Sequence, residues 1–307
     1  MRDMRPAYRK GFNDMSLLEA VVNWTNKQTV ECHNCNHPAK ACSGGCRTCL
    51  DEIHYWYNSR KINRRTCYSC ETLVYEYVKS YTERYYHNII SACNSIDFDA
   101  YGCFRILSIG CGASPDLMAF EELAKGKEIF YRGIDKIEQW LEFQNLIRHY
   151  VQNKNIIVDF QQSDVFNPVE WQKSTEIFNV AIMQYLISSI WGDSDKNFHR
   201  SIKEKRVKDL FKGFVDTVLL RWKNSNYPSP FLIILNDNDN VSTGRKQFYD
   251  LLDILVDRGY QGSAFVKSAY AQDDMNDRQN RGFDGFNFQT SSAISNNSAT
   301  LTIEVIK

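Results

Sequence analysis

The sequence predicts an α/β fold: a parallel sheet with helices on both faces, preceded by a small Cys-rich, metal-binding module. Three observations carry this. From Phe104 onward, short apolar runs alternate with stretches of helical spacing, which is how a sheet buried on both faces reads. The first of those runs ends in a glycine turn, "SIGCGASPDL". Seven of the ten cysteines crowd between Cys32 and Cys70, a clustering that reads as metal ligands in a reducing compartment.

At 307 residues the chain is long enough for one large domain and a small one. Its formal net charge is zero, which excludes a general polyanion binder. No apolar run reaches the roughly 18 residues of a membrane span, and no apolar signal core follows the basic start "MRDMRPAYRK". The expected location is the cytoplasm, with no membrane partner.

Taken in order, "MSLLEAVVNWTN" predicts a short amphipathic helix with Ser16 as its N-cap. "ETLVYEYVKSYTERYYHNIISAC" places Val74, Tyr77, Val78, Tyr81, Tyr85 and Ile89 at helical spacing, a stripe read as core. "FRILSIG" is a buried strand, and "PDLMAFEELAKG" a helix with Pro115 in its first turn. "EIFYRGID", "NIIVDF", "FNVAIMQYLI" and "PFLIILND" are the next strands. "KIEQWLEFQNLIRHYV", "IKEKRVKDLFKGFVDTVLLRW" and "GRKQFYDLLDILVDRG" are the remaining helices. "GSAFVKSAY" and "ATLTIEVIK" are two final strands separated by a polar connection, so a hairpin there makes the last strand antiparallel.

In the glycine turn, Gly110 and Gly112 let the backbone approach a ligand closely, and the following helix offers free N–H groups. A dinucleotide site wants a third glycine where this chain has Pro115, which weighs against NAD or FAD. Five β/α units followed by a hairpin, with an acidic-x-Gly-x-Gly-x-Gly turn, resemble the class I S-adenosylmethionine-dependent methyltransferases. The turn departs from that pattern twice, with Ser108 at the acidic position and Ser114 at the third glycine. Two further marks fall in the order the resemblance implies. Asp135 ends the second strand, where a carboxylate accepts the ribose hydroxyls; a helix N-cap is its other reading. Asp164 follows the third strand, where an acidic residue meets the adenine amino group with Val165 or Phe166 against the ring; an ordinary turn Asp is its other reading.

The resemblance covers about residues 90–307 and implies a Rossmann-like, seven-stranded methyltransferase domain, taken as residues 76–307; residues 1–75 are read as a helix plus the zinc-binding module. It implies S-adenosylmethionine contacts at Ser108, Gly110, Cys111, Gly112, Asp135, Lys136, Asp164, Val165 and Gln184. Gln184 and Tyr185, at the end of the fourth strand, are the candidate catalytic residues that orient a nucleophile. The Asn/Asp/Ser-Pro-Pro-Tyr/Phe motif of base-amino methylation is missing there, and so is a Pro-Cys nucleophile. Asp237 and Asp239 in "LNDNDN" either line the cleft or cap the loop.

In the N-terminal zone the candidate ligands are Cys32, Cys35, Cys42, Cys46, Cys49, His54, Cys67 and Cys70. Eight ligands make two tetrahedral zinc sites; a simpler ribbon of Cys32, Cys35, Cys46 and Cys49 makes one. His33 and His37 compete with His54. The run Cys42-x3-Cys46-x2-Cys49 also matches the [4Fe–4S] triad of radical S-adenosylmethionine enzymes. No clear strand precedes it, Thr48 stands where an aromatic residue is usual, and the flanking Cys-x2-Cys pairs have no place in that scheme. Zinc is therefore expected. Residues 1–75 hold 11 Lys/Arg and 7 Asp/Glu, a modest formal +4. Yet Arg60, Lys61, Arg64 and Arg65 sit close to Tyr55, Trp56 and Tyr57, a basic and aromatic combination suited to single-stranded RNA. Bacterial ribosomal-RNA guanine methyltransferases are similar in domain order only, with a zinc finger before a class I domain.

The expected function is thus a methyltransferase acting on a macromolecule, RNA ahead of protein. Two alternatives stand beside it: a zinc adaptor whose Rossmann-like domain has lost catalysis, and a small-molecule methyltransferase.

Overall fold

The computed structural model describes residues 15–28, 50, 71–166, 175–188, 200–239, 245–269, 285–291 and 298–307. Within them an eight-stranded sheet runs in the order β3-β2-β1-β4-β5-β8-β6-β7. The strands are β1 (Phe104–Ile109), β2 (Ile129–Asp135), β3 (Ile156–Gln162), β4 (Val180–Gln184), β5 (Phe231–Asp237), β6 (Gln261–Lys267), β7 (Phe286–Ser291) and β8 (Ala299–Ile306). The first five are parallel, and β8 inserts antiparallel between β5 and β6.

The sequence-based count of seven strands is one short among the described residues. The extra strand, β7, lies inside the connection read as polar and pairs parallel with β6 at the sheet edge. An edge strand buries little on one face, so Phe286 and Phe288 among Asn, Gln, Thr and Ser suffice for it. The antiparallel course of the last strand is as expected.

The central strands are buried on both faces, and successive side chains fall in two separate cores. Leu107, Ile109, Ala181, Met183, Ile233 and Leu235 face one side. There they meet α5 (Arg200–Phe214), which continues through a π-helical segment to Lys223, and α6 (Arg245–Asp257). Ile106, Val180, Ile182, Leu232 and Ile234 face the other side. That face is covered by α1 (Leu17–Lys27), α2 (Glu71–Ala92), α3 (Pro115–Leu123) and α4 (Leu141–Tyr150).

Helix α1 starts where its sequence says. Ser16 and Glu19 form a reciprocal capping box. Its buried stripe of Leu17, Ala20, Val21 and Trp24 packs into the sheet's own core, with the Trp24 ring 5.4 Å from Phe143 of α4. Burying Leu17, Val21 and Trp24 contributes roughly 1.5–3 kcal/mol each as an upper bound. An isolated helix of this length is otherwise marginal in water. The chain passes from residue 75 to 76 inside the continuous helix α2.

Candidate functional site

The site is built on the ends of β1, β2, β4 and β5, beneath α2. The β1–α3 turn has three left-handed positions, Gly110 (φ +75°), Gly112 (φ +51°) and Ser114 (φ +58°). Ser114 stands at the third position of the glycine pattern and adopts the conformation a glycine takes freely, at a cost of about 1 kcal/mol. The turn is stitched to β2. Gly110 and Cys111 donate their N–H groups to the Ile134 carbonyl at 2.8 and 3.1 Å, and Gly112 donates to Asp135 Oδ2 at 2.9 Å. The Cys111 thiol turns into the core and is pushed well above its ordinary pKa by burial. Only its backbone remains for a ligand.

Gly133, which the sequence reading passed over, is what lets the turn close. A Cβ there would lie 2.8 Å from Cys111 Sγ and 2.9 Å from both Phe160 and Tyr131.

Two carboxylates flank the turn. Asp135, 9% exposed, accepts from Ile137 N at 2.9 Å on Oδ1 and from Gly112 N on Oδ2. It is therefore both a cap and a tie to the turn, with one lone pair per oxygen to spare. Burial raises its pKa against those hydrogen bonds. Lys136 is exposed beside it.

Asp116, in the first turn of α3, was not singled out from the sequence. It is buried and accepts from the Tyr131 phenol at 3.0 and 3.2 Å, and Ser108 also bonds to it. Burial pushes its pKa up to about 6. Ser108, at the position where the resemblance wants an acid, thus adjoins one supplied from α3. Among the described residues neither Asp116 nor Asp135 is in an ion pair.

At the end of β3, Asp164 is exposed and closes a tight turn by accepting from Phe166 N at 3.0 Å. Val165 is buried in the core with Leu107. At the end of β4, Gln184 Nε2 donates to the Tyr85 carbonyl at 2.8 Å. Tyr185 follows in a left-handed conformation (φ +53°), its ring stacked 4.1 Å from Tyr85, its Oη accepting from Asn88 at 3.1 Å. Burial pushes the Tyr185 phenol up to about 12, so it is neutral and serves for hydrogen bonding. Asp237 ends β5 and accepts from Ser188 N at 3.0 Å and Asn238 N at 2.7 Å. It clamps the loops after β4 and β5, and burial lifts it to about 6. Asp239 likewise caps Ser268 and Ala269. Both aspartates are the loop caps of their second sequence reading.

Above these ends lies an aromatic roof from α2. The Tyr77 ring is 5.3 Å from Trp140 and 5.9 Å from Tyr85, and Tyr81 stacks on Tyr85 at 5.6 Å. Trp140 in turn covers Gly112, 3.7 Å from where a Cβ would be. The stripe read from sequence as core thus also forms a wall of the site, and the spacing alone carries no sign of that. Leu50 is buried in the same cluster.

Cys32, Cys35, Cys42, Cys46, Cys49, His54, Cys67 and Cys70, with Arg60, Lys61, Arg64 and Arg65, lie outside the described residues. Among the described residues no group of three His, Cys, Asp or Glu is placed to hold a metal, and no helix is long and apolar enough to cross a membrane.

No protein-family model and no curated protein matches the chain. Similar solved structures include the plantazolicin methyltransferase BpumL in complex with a pentazolic desmethylPZN analog and SAH. It is 11% identical, at TM-score 0.46, over 85% of this chain and 97% of that one. The methyltransferase domain of bacterial-CtHen1-CN is 10% identical, at TM-score 0.40, over 73% and 99%. A SAM-dependent methyltransferase from Archaeoglobus fulgidus is 12% identical, at TM-score 0.39, over 73% and 94%.

Proposed function

We propose that the chain is an S-adenosylmethionine-dependent methyltransferase, with the cofactor across the Gly110–Gly112 turn. The observation that carries this is the charge of the turn. Two buried carboxylates, without ion pairs among the described residues, flank it, where the pyrophosphate of a dinucleotide would need cations or unopposed N–H groups. A sulfonium and an ammonium suit that potential, and the spare lone pairs of Asp135 suit ribose hydroxyls. When bound, the cofactor supplies an activated methyl group. The protein's part is alignment rather than strong acid–base chemistry. Asp135 holds the ribose, the Gly110–Gly112 backbone allows close approach, and Tyr77, Trp140 and Tyr185 keep water out. Asp164 and Val165 supply the adenine edge, and Gln184 orients the acceptor.

The finer reading keeps the Cys32–Cys70 segment as a zinc module, because seven thiols and one imidazole are a zinc donor set. In this reading Arg60, Lys61, Arg64 and Arg65 bring RNA to the site. Titration of purified protein with S-adenosylmethionine, S-adenosylhomocysteine and NAD tests the core of the proposal. Binding of the first two and not the third is expected; binding of NAD alone overturns it. Elemental analysis tests the metal: one or two zinc ions per chain and no iron are expected. Replacing the four basic residues by alanine should lower the log–log salt slope of RNA binding by about 0.7 for each lost phosphate contact.

A further inference from the structure

Three buried polar atoms at the junction of α2 with the sheet have no hydrogen-bond partner among the described residues: Thr82 Oγ1, Gln184 Oε1 and Asn236 Oδ1. They belong to one place. Gln184 of β4 is in register with Asn236 of β5, so both side chains leave the same face of the sheet on adjacent strands, about 4.8 Å apart at the backbone. That face is the one α2 covers, because Gln184 Nε2 reaches the Tyr85 carbonyl. Thr82 lies three residues before Tyr85, on the same side of the helix.

The orientation of Gln184 is fixed by chemistry. A backbone carbonyl only accepts, so the atom facing Tyr85 is the amide nitrogen and Oε1 points elsewhere. In the structure Asn236 Nδ2 donates to Thr300 Oγ1 at 3.2 Å, a hydroxyl that accepts from it. Asn236 is 1% exposed while Gln184 is half-buried, so the row is more open at its β4 end. Protein interiors leave few acceptors unused. Here two carbonyl oxygens on paired positions of adjacent strands have no N–H or O–H directed at them among the described residues.

We infer that this pair receives the methyl acceptor, and that the acceptor atom is a nitrogen bearing hydrogen, in an amino or amide-type group. The inference rests on the methyltransferase reading and specifies its substrate. A nitrogen with two hydrogens satisfies both oxygens at once. An alcohol has one hydrogen to give, and a thiol is a weak donor. Holding the hydrogens against the sheet turns the nitrogen lone pair away from it. In the transfer the lone pair forms the N–C bond to the methyl carbon. The C–S bond breaks with its electron pair staying on sulfur, which becomes a neutral thioether. The nitrogen then carries the positive charge and releases one hydrogen as a proton to water. Gln184 and Asn236 position the nitrogen and take no proton.

The test uses the full chain, [methyl-13C]S-adenosylmethionine, and fractionated cellular RNA and protein as acceptors. The product's 13C shift should be that of N–CH3, from either fraction. An O–CH3 or S–CH3 product overturns the inference. Gln184→Leu and Asn236→Leu should each slow transfer by about tenfold or more, and Gln184→Glu, which keeps an oxygen acceptor, should lose less. Titration separates the causes. Affinities for S-adenosylmethionine and 5′-methylthioadenosine should stay within about twofold in the Leu variants, which also shows that they are folded. If S-adenosylmethionine weakens while methylthioadenosine does not, the amides hold the cofactor's own ammonium and the inference fails. No transfer despite cofactor binding overturns it too. Loss of cofactor binding in the wild-type protein overturns instead the reading on which it rests.

Discussion

The two halves of the site are finished to different degrees. At the ends of β1 and β2, each side-chain oxygen of Asp135 has a backbone N–H aimed at it, and Asp116 has Tyr131 and Ser108. At the ends of β4 and β5, Gln184 and Asn236 each satisfy their nitrogen, and among the described residues nothing donates to their oxygen. The first half is a frame that holds its shape without a ligand. The second is complete only when something binds. A substitution in the first half should therefore change stability, whatever it does to binding, and one in the second should change recognition alone.

The largest expected effect breaks the frame. Gly133→Ala drives a methyl against Cys111, Phe160 and Tyr131 at once and should cost about 3 kcal/mol or more, the upper end of overpacking. Urea unfolding would measure it; an unchanged midpoint would mean the turn has room to shift. Next is Asp135→Ala, which should weaken S-adenosylmethionine binding by roughly 1.5–3 kcal/mol, read by isothermal titration. Because the same carboxylate ties Gly112 and Ile137, it should also lower the melting temperature, unlike Gln184→Leu.

Asp116 sharpens the comparison through pH. Burial raises its folded-state pKa to about 6 from 3.8, so the folded protein holds that proton more tightly than the unfolded chain. The resulting stabilisation is full below about pH 4 and is lost as the pH rises through 6. Asp237, also at about 6, adds to the same slope. Asp116→Asn should flatten the fall in stability between pH 4 and 6 and leave the protein more stable at pH 7.5. It should also weaken S-adenosylmethionine relative to neutral-sulfur S-adenosylhomocysteine. Equal weakening of both would remove the carboxylate from any role in reading the sulfonium. The smallest effect is Ser114→Gly, which relieves the left-handed serine and should gain about 1 kcal/mol less the added chain entropy, seen as a slightly higher denaturation midpoint.

Much of the frame was legible in the sequence because it is made of local signals, though Gly133 and Asp116 were not. Gly110, Gly112 and Asp135 mark strand ends by residue type and spacing, and the five parallel strands are apolar runs. The other half is made of juxtapositions. Nothing near Asn236 in the chain says that Gln184 will be its neighbour across two strands. Asp116 reads as a helix-start residue until the fold brings Ser108 and Tyr131 to it. Strand β7 escaped because an edge strand needs few apolar residues. The tyrosines of α2 were legible as a buried face, but what they are buried against depends on where the helix docks.

The docking of α1 has a consequence for how the chain is made. Apart from Tyr75 of α2, 5.5 Å from Trp24, its partners are late ones: Glu121 accepts from Leu17 N at 2.6 Å, and Trp24 packs on Phe143. During synthesis, more than a hundred further residues must be added after Trp24 before Phe143 exists, on the order of ten seconds at typical elongation rates. For that interval an apolar stripe with a tryptophan in it has no sheet to cover. Helix α1 is thus made more than a hundred residues before the helices that complete its burial, and it is where a chaperone would find this nascent chain.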